Sequence, residues 1–119
     1  QFMRTGIITV NQNRGVNECV SRMQHHNVDT LLVVDERRRY QGTVSIADIR
    51  LTGHVVKTIG PLVRCTTPVV HVGDNAKECF EQLISSGFPY LVVLKEDETV
   101  AGIVTKTSMA SAMAEQLWG

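Results

Sequence analysis

The hydrophobic period of the chain changes at regular intervals. Ile7-Ile8-Thr9-Val10 is a short β-branched run that predicts a strand, and the polar, glycine-containing stretch Asn11 to Gly15 predicts a loop. Val16, Cys19, Val20 and Met23 then fall at i, i+3, i+4 and i+7. That spacing predicts a helix with one buried face, and Asn27 suits the left-handed position that ends one. Leu31-Leu32-Val33-Val34 is a continuous apolar run of the kind found in strands covered on both faces. Thr43-Val44 reads as its hairpin partner across the charged turn Asp35 to Gln41, and Ile46 to Leu51 starts a second helix.

The same succession then returns. Val69-Val70-His71-Val72 predicts a strand, and Ala76, Cys79, Phe80, Leu83 and Ile84 form a helical stripe that Gly87 ends. Leu91-Val92-Val93-Leu94 matches Leu31 to Val34, Glu96-Asp97-Glu98 takes the place of Glu36-Arg37-Arg38, and Ser108 to Leu117 closes the chain as a helix. Gly42-Thr43-Val44-Ser45-Ile46-Ala47-Asp48 recurs as Gly102-Ile103-Val104-Thr105-Lys106-Thr107-Ser108, an offset of sixty residues. The expected fold is mixed α+β, a β-α-β-β-α unit twice over, with residues 1–58 as the first repeat and 59–119 as the second. Gly53, Gly60, Pro61 and Pro68 punctuate the connection, in which Ile59 to Val63 reads as a short helical turn. A half of this size alone buries only about 60% of its unfolded surface, so the halves are expected to pack together.

The recurring stretch joins a strand end to a helix start. Its glycine lets backbones approach closely, and its hydroxyl residue, Ser45 or Thr105, is placed to cap the helix. A helix start carries unsatisfied N–H groups and partial positive charge, so it can hold a phosphate or ribose. Ser45-x-x-Asp48 equally satisfies the capping-box pattern, in which both side chains serve only to close the helix end. The motif alone leaves both readings open.

Charge narrows the function classes. Lys plus Arg and Asp plus Glu are 12 each among 119 residues, so no field of one sign favours nucleic acid or an anionic membrane, and an anionic ligand must be held locally. No apolar run approaches the roughly 20 residues of a membrane span, and Gln1-Phe2-Met3-Arg4 lacks a secretory pattern. The chain reads as soluble and intracellular, and its start without methionine points to a piece of something longer. Cys19, Cys65 and Cys79 have neither Cys-x-x-Cys spacing nor an even count, which indicates no disulfide framework and no metal site. His25 and His26 are helix neighbours about 100° apart and cannot chelate one ion. Arg37-Arg38-Arg39 stands beside Asp35 and Glu36 in a turn and reads as a solvated loop. No phosphate loop or paired nucleophile and base is present, so no catalytic residue is assigned.

A repeat of this length, with Gly42-x-x-Ser45-x-x-Asp48, the run Leu31 to Val34 and the weaker echo Gly102-x-x-Thr105-x-x-Ser108, resembles the cystathionine-β-synthase (CBS) domain, and the tandem pair resembles a Bateman module. The resemblance covers nearly the whole chain. It implies adenine-nucleotide binding between the repeats and regulation of an attached enzyme, channel or transporter. Asp48 has the carboxylate that holds a free ribose diol, whereas Ser108 does not, so the second copy departs from the pattern. A vacant site or a ligand without a free diol fits that departure, and a cyclic dinucleotide is such a ligand. The combination is similar to the carboxy-terminal modules of ATP-binding subunits in ABC transporters for glycine betaine, carnitine or choline. That likeness implies cyclic di-AMP as ligand, a homodimer sharing it, an upstream ABC ATPase, membrane permease subunits, no cofactor and a place at the inner face of the cell membrane. Gln116-Leu117-Trp118-Gly119 is read as the end of such a polypeptide. The expected contacts are Ile8, Val28 and Ile103 around adenine, Tyr90 stacking, Thr30 at the base edge, and Lys106 with the Thr105 helix start at phosphate. AMP, ATP or S-adenosylmethionine sensing in another enzyme or transporter, a ligand-free dimerisation domain and a cryptic nucleotide hydrolase are the alternatives.

Overall fold

A computed structural model describes residues 8–52 and 55–106. They fall into two compact units, with the chain dividing between Thr66 and Thr67. In the first unit the order is β1 (Thr9–Asn11), α1 (Val16–His26), β2 (Thr30–Val34), β3 (Tyr40–Ser45), α2 (Ile46–Thr52) and a 3-10 turn (Gly60–Leu62). β1 runs parallel to β2 with Thr9 opposite Leu32, and β2 runs antiparallel to β3 with Leu31 opposite Val44. A parallel pair needs a crossover, and α1 supplies it. The helical stripe lands where its spacing requires: Val16, Cys19 and Met23 are buried against Leu31, Val33 and Val44 of the sheet. Asn27 ends α1 in the left-handed conformation, φ 54°, and the Val28 N–H donates to the Met23 carbonyl at 2.9 Å. This satisfies one of the carbonyls that a helix end leaves open.

The connecting segment belongs to the first unit as far as Thr66, whereas the sequence placed the division near residue 58. The reason is a set of backbone pairings beyond that point. Ile59 is fully buried in the first core, and its N–H donates to the Arg14 carbonyl at 3.0 Å. Further on, Thr43 and Arg64 exchange both N–H···O bonds at 2.9 Å, so Arg64 extends the β3 edge as an antiparallel bridge. Gly42 allows this approach. Its φ is 144°, and a Cβ there would lie 2.5 Å from the Arg64 carbonyl oxygen and 2.7 Å from Val63 Cγ1.

The second unit repeats the pattern with β4 (Val69–His71), α3 (Ala76–Ser86), β5 (Tyr90–Leu94) and β6 (Val100–Thr105). β4 pairs parallel to β5, and β5 antiparallel to β6 with Leu91 opposite Val104. The Asn75 side-chain carbonyl caps α3 by accepting from the Lys77 and Glu78 N–H groups, and Gly87 ends the helix at φ 74°. Cys79 and Leu83 are buried with Val70, Leu91, Val93 and Val104. Ile84, expected on the buried stripe, is 51% exposed. It lies about 100° around the helix from Leu83 and passes the edge of the core face. Val72 falls just outside β4, although its N–H still donates to the Leu94 carbonyl. Lys106 opens the next helix. The expected closing helix from Ser108 to Leu117, the Ser108 position, Gly53 and the Gln116 to Gly119 end lie outside the described residues.

The two hairpins turn identically. Arg38 and Glu98 adopt φ 64° and 70°, and each strand pair shifts register at the same place, after Val33 and after Val93. Different carboxylates hold the turns. Asp35 Oδ1 accepts the N–H groups of Arg37 and Arg39, and its Oδ2 accepts Arg39 Nε at 2.9 Å. Asp97 Oδ1 accepts the Thr99 hydroxyl at 2.6 Å and the Thr99 N–H at 3.1 Å. The bond from the Arg39 backbone holds the Asp35 carboxyl below its ordinary value of 3.8, and the Thr99 hydroxyl does the same for Asp97.

Two predictions arise here. Gly42→Ala forces a methyl into the Arg64 carbonyl and should lower stability by about 1 to 3 kcal/mol in denaturant unfolding, the usual range for overpacking; a change within about 0.5 kcal/mol would show that the linker is not held there. The lowered carboxylates stabilise the fold fully above their ordinary value, and that contribution is lost as pH falls through the folded-state values. Asp35→Asn and Asp97→Asn should therefore each flatten the fall in melting temperature on the acid side and leave its slope near pH 7 unchanged.

Candidate functional site

Each repeat presents a strand-to-helix junction at one end of its sheet. In the first, β3 ends at Ser45 and α2 begins at Ile46. The Asp48 N–H donates to Ser45 Oγ at 3.2 Å, and the Ser45 hydroxyl donates to Asp48 Oδ2 at 3.1 Å. Ser45 thus caps the helix, and Asp48 Oδ2 also accepts Arg64 Nε at 2.8 Å. Of the two readings the sequence left open, the structure displays the cap and adds an ion pair that the motif did not announce. Asp48 is 17% exposed and Arg64 65%, so the pair sits at the mouth of a cavity of about 260 Å³ lined by Asp48, Leu51, Thr52 and the segment Pro61 to Arg64.

The expected first-repeat contacts gather at the same end of the sheet. Ile8 precedes β1, is half-buried against the core, and accepts the Leu32 N–H at its carbonyl. Thr30 opens β2 opposite Ser45, and its hydroxyl donates to Asp29 Oδ1 at 3.2 Å. Val28 is 39% exposed and lines an open groove of about 580 Å³ with Met23, Asn27, Asp29, Ile46 and Arg50. Arg50 and Asp29 were not among the residues singled out from the sequence.

In the second repeat, Tyr90 opens β5 directly opposite Thr105, the last residue of β6. Both are half-buried, and Lys106 follows as an exposed cation at the helix start. Ile103 is half-buried, two residues before Thr105 on the same face, and pairs with Val92. Tyr90, Ile103, Thr105 and Lys106 are thus brought to one sheet end, as are Ile8, Val28 and Thr30 in the other unit. The junctions differ in chemistry: an aromatic ring and a lysine in the second stand where Thr30 and Ile46 stand in the first.

The remaining reactive groups have structural surroundings. Burial pushes the Cys19 and Cys79 thiols above their ordinary value of 9.0, which keeps them protonated and unreactive. Cys65 is exposed and donates to the Gln41 carbonyl. Among the described residues no cluster of His, Cys, Asp and Glu is arranged to hold a metal ion, and no helix is long and apolar enough to cross a membrane.

The sequence profile of the CBS domain matches residues 1–52 and 56–115. The chain belongs to the CBS domain family. This CBS pair is 24% identical over 119 residues, its whole length, to the carnitine transport ATP-binding protein OpuCA of Listeria monocytogenes. It is 26% identical over the same span to the glycine betaine/carnitine/choline transport ATP-binding protein OpuCA of Bacillus subtilis strain 168. It spans only 30% and 31% of the length of those relatives. Among solved structures, Staphylococcus aureus OpuCA matches with TM-score 0.84 at 18% identity, covering 97% of both chains. CbpB in complex with c-di-AMP matches at 0.82 and 16%, covering 97% of this chain and 81% of that one. CBSX2 in complex with AMP matches at 0.79 and 23%, covering 96% and 93%. At these identities the likeness is one of fold, and the α+β pairing of two CBS repeats is as the sequence led one to expect.

The first CBS junction yields a stability prediction. Ser45→Ala removes the cap and should cost about 1 kcal/mol. Arg64→Met removes only a largely exposed ion pair and should cost less. Unfolding curves that reverse this order would make the Asp48–Arg64 pair, not the hydroxyl, the group that holds the α2 start.

Proposed function

We propose that this CBS pair is a regulatory, non-catalytic nucleotide-binding module of the ATP-binding subunit of an osmolyte-uptake ABC transporter, and that its ligand is cyclic di-AMP. The observation that carries the reading is the match of the entire chain to transport ATP-binding proteins for carnitine, glycine betaine and choline. The fold it shares with CbpB, solved with c-di-AMP, supports the ligand. The chemistry of the second junction supports it further. Tyr90 offers a ring for stacking, Ile103 an apolar wall, and Thr105 with Lys106 a hydroxyl and a cation for phosphate. Ile8, Val28 and Thr30 are the proposed contacts in the first repeat.

Asp48 is already engaged at one oxygen: Ser45 and Arg64 both bond Oδ2, so a nucleotide with a free ribose diol competes there with the cap and the ion pair. A dinucleotide whose 3′ oxygens are esterified makes no such demand. Its two-fold symmetry suits two copies of the chain sharing one ligand, a homodimer. In the whole transporter, with its ATPase and permease subunits at the inner face of the membrane, ligand binding is proposed to restrain uptake by biasing the coupled ATPase subunits between states.

Calorimetry against cyclic di-AMP, AMP, ATP and S-adenosylmethionine tests the reading directly. Cyclic di-AMP should bind and Tyr90→Ala should weaken it about fivefold or more, because stacking on an aromatic ring is worth about 1 to 3 kcal/mol per base and 1.4 kcal/mol is a factor of ten. Tyr90→Phe should lose little, and Asp48→Asn should leave the affinity unchanged. Equal affinity in Tyr90→Ala and parent would remove the second junction from the site, and binding of none of the four ligands would leave a dimerisation domain.

A further inference from the structure

Each repeat ties the region that ends its first strand to the turn of its hairpin, and the two ties use different atoms. In the first repeat Asn13 Nδ2 donates to Glu36 Oε1 at 3.4 Å. In the second, His71 Nε2 lies 2.9 Å from Glu98 Oε1. His71 is the last residue of β4, and Glu98 is the turn residue at φ 70°, so this contact joins the end of β4 to the β5–β6 hairpin. The sixty-residue offset puts Asn11 and Arg38 at the same two positions of the first repeat, which therefore has neither an imidazole nor a carboxylate there. The difference matters because histidine takes up its proton between about pH 5 and 8, where carboxylates are largely ionised and an amide does not titrate. The surroundings leave Glu98 as the partner. Asp74 Oδ2 accepts the His71 backbone N–H at 2.9 Å, and Asp97 Oδ1 is taken by Thr99. Leu94, opposite His71 in β5, carries no charge. Lys77 and Glu78 in the first turn of α3, with Lys95 and Glu96 in the hairpin turn, are the other charged groups on the neighbouring elements. Among the described residues Glu98 alone forms an ion pair with His71.

We propose that His71 and Glu98 are a proton-sensitive fastening that tightens the second repeat, and not the first, on acidification. A neutral imidazole offers Glu98 at most a hydrogen bond, whereas an imidazolium adds charge to it. The fastening is therefore full when His71 is protonated and weakens as pH rises and the proton leaves. The side chains are 46% and 54% exposed, so the strength is that of a surface pair, about two- to fivefold in a local opening equilibrium. The Val72 N–H donates to the Leu94 carbonyl and the Glu98 N–H to the Lys95 carbonyl, both at 2.9 Å, one on each side of the contact. Opening of either bond is what the fastening restrains. This device involves no nucleotide, so it goes beyond the nucleotide-sensing reading and stands or falls apart from it.

The test is amide hydrogen exchange by NMR on the full chain without ligand, at about pH 5.5 and about pH 7.5, on either side of an ordinary histidine titration. Exchange is expressed as protection factors, which remove the intrinsic pH dependence. Val72 and Glu98 should be about two- to fivefold better protected at the lower pH. Their counterparts Gln12 and Arg38, which donate to the Val34 and Asp35 carbonyls, should show no such difference and serve as the internal control. Glu98→Gln keeps an acceptor without the charge, and His71→Gln removes the proton site; each should abolish the pH difference at Val72. Two variants on different elements keep the test decisive should one fail to fold. Equal protection at both pH values in the parent would overturn the proposal. A pH difference at Val72 that survives in Glu98→Gln would also overturn it, since the proton would then act through another group. A matching difference at Gln12 and Arg38 would overturn the restriction to the second repeat.

Discussion

The backbone contact between Gly42 and the segment Val63-Arg64 decides much of what the first repeat can be. A residue with a Cβ at position 42 would meet the Arg64 carbonyl at 2.5 Å, and any retreat would break the paired bonds between Thr43 and Arg64. With that contact made, the linker becomes part of the first sheet's edge and Arg64 arrives beside Asp48. The small cavity at that junction then gains a wall from Pro61 to Arg64. A segment that reads as punctuation between repeats is therefore a structural element of one of them.

The sixty-residue repeat copies the backbone more faithfully than the chemistry. Strand pairings, register shifts and the left-handed hairpin residue recur at equivalent positions. The side chains at the two junctions diverge: Thr30 faces Ser45 in one, Tyr90 faces Thr105 in the other. Packing demands the same apolar positions in both copies, because each sheet buries one face under a helix of the same length. A ligand makes no such symmetric demand, so the junctions are where the copies are free to differ.

Periodicity made most of the fold legible. Runs such as Leu31 to Val34 and stripes such as Val16, Cys19 and Met23 respond to burial, which local sequence encodes directly. The left-handed ends at Asn27 and Gly87 were legible for the same local reason. The burial of Ile59 and the pairing of Arg64 were not, since both depend on contacts with residues distant along the chain. Ile84 was misplaced because a helical stripe has an edge that the spacing alone does not locate. In the candidate site, the hydroxyl of Ser45 was legible as a cap, but its carboxylate partner's second bond to Arg64 had no sequence signature. Arg50 was equally hidden, since one arginine on a short helix looks like any solvated charge until the groove beside it is seen.

The hairpin turns carry one more consequence. Asp35 sits at the first position of its turn and Asp97 at the third of the other, yet both hold the same backbone shape. The chain therefore contains two independent fastenings for one design, and neither shares a donor with the other. Redundancy of this kind makes failure graded: a single substitution loosens one tip while the other keeps its grip, so the pair degrades in steps.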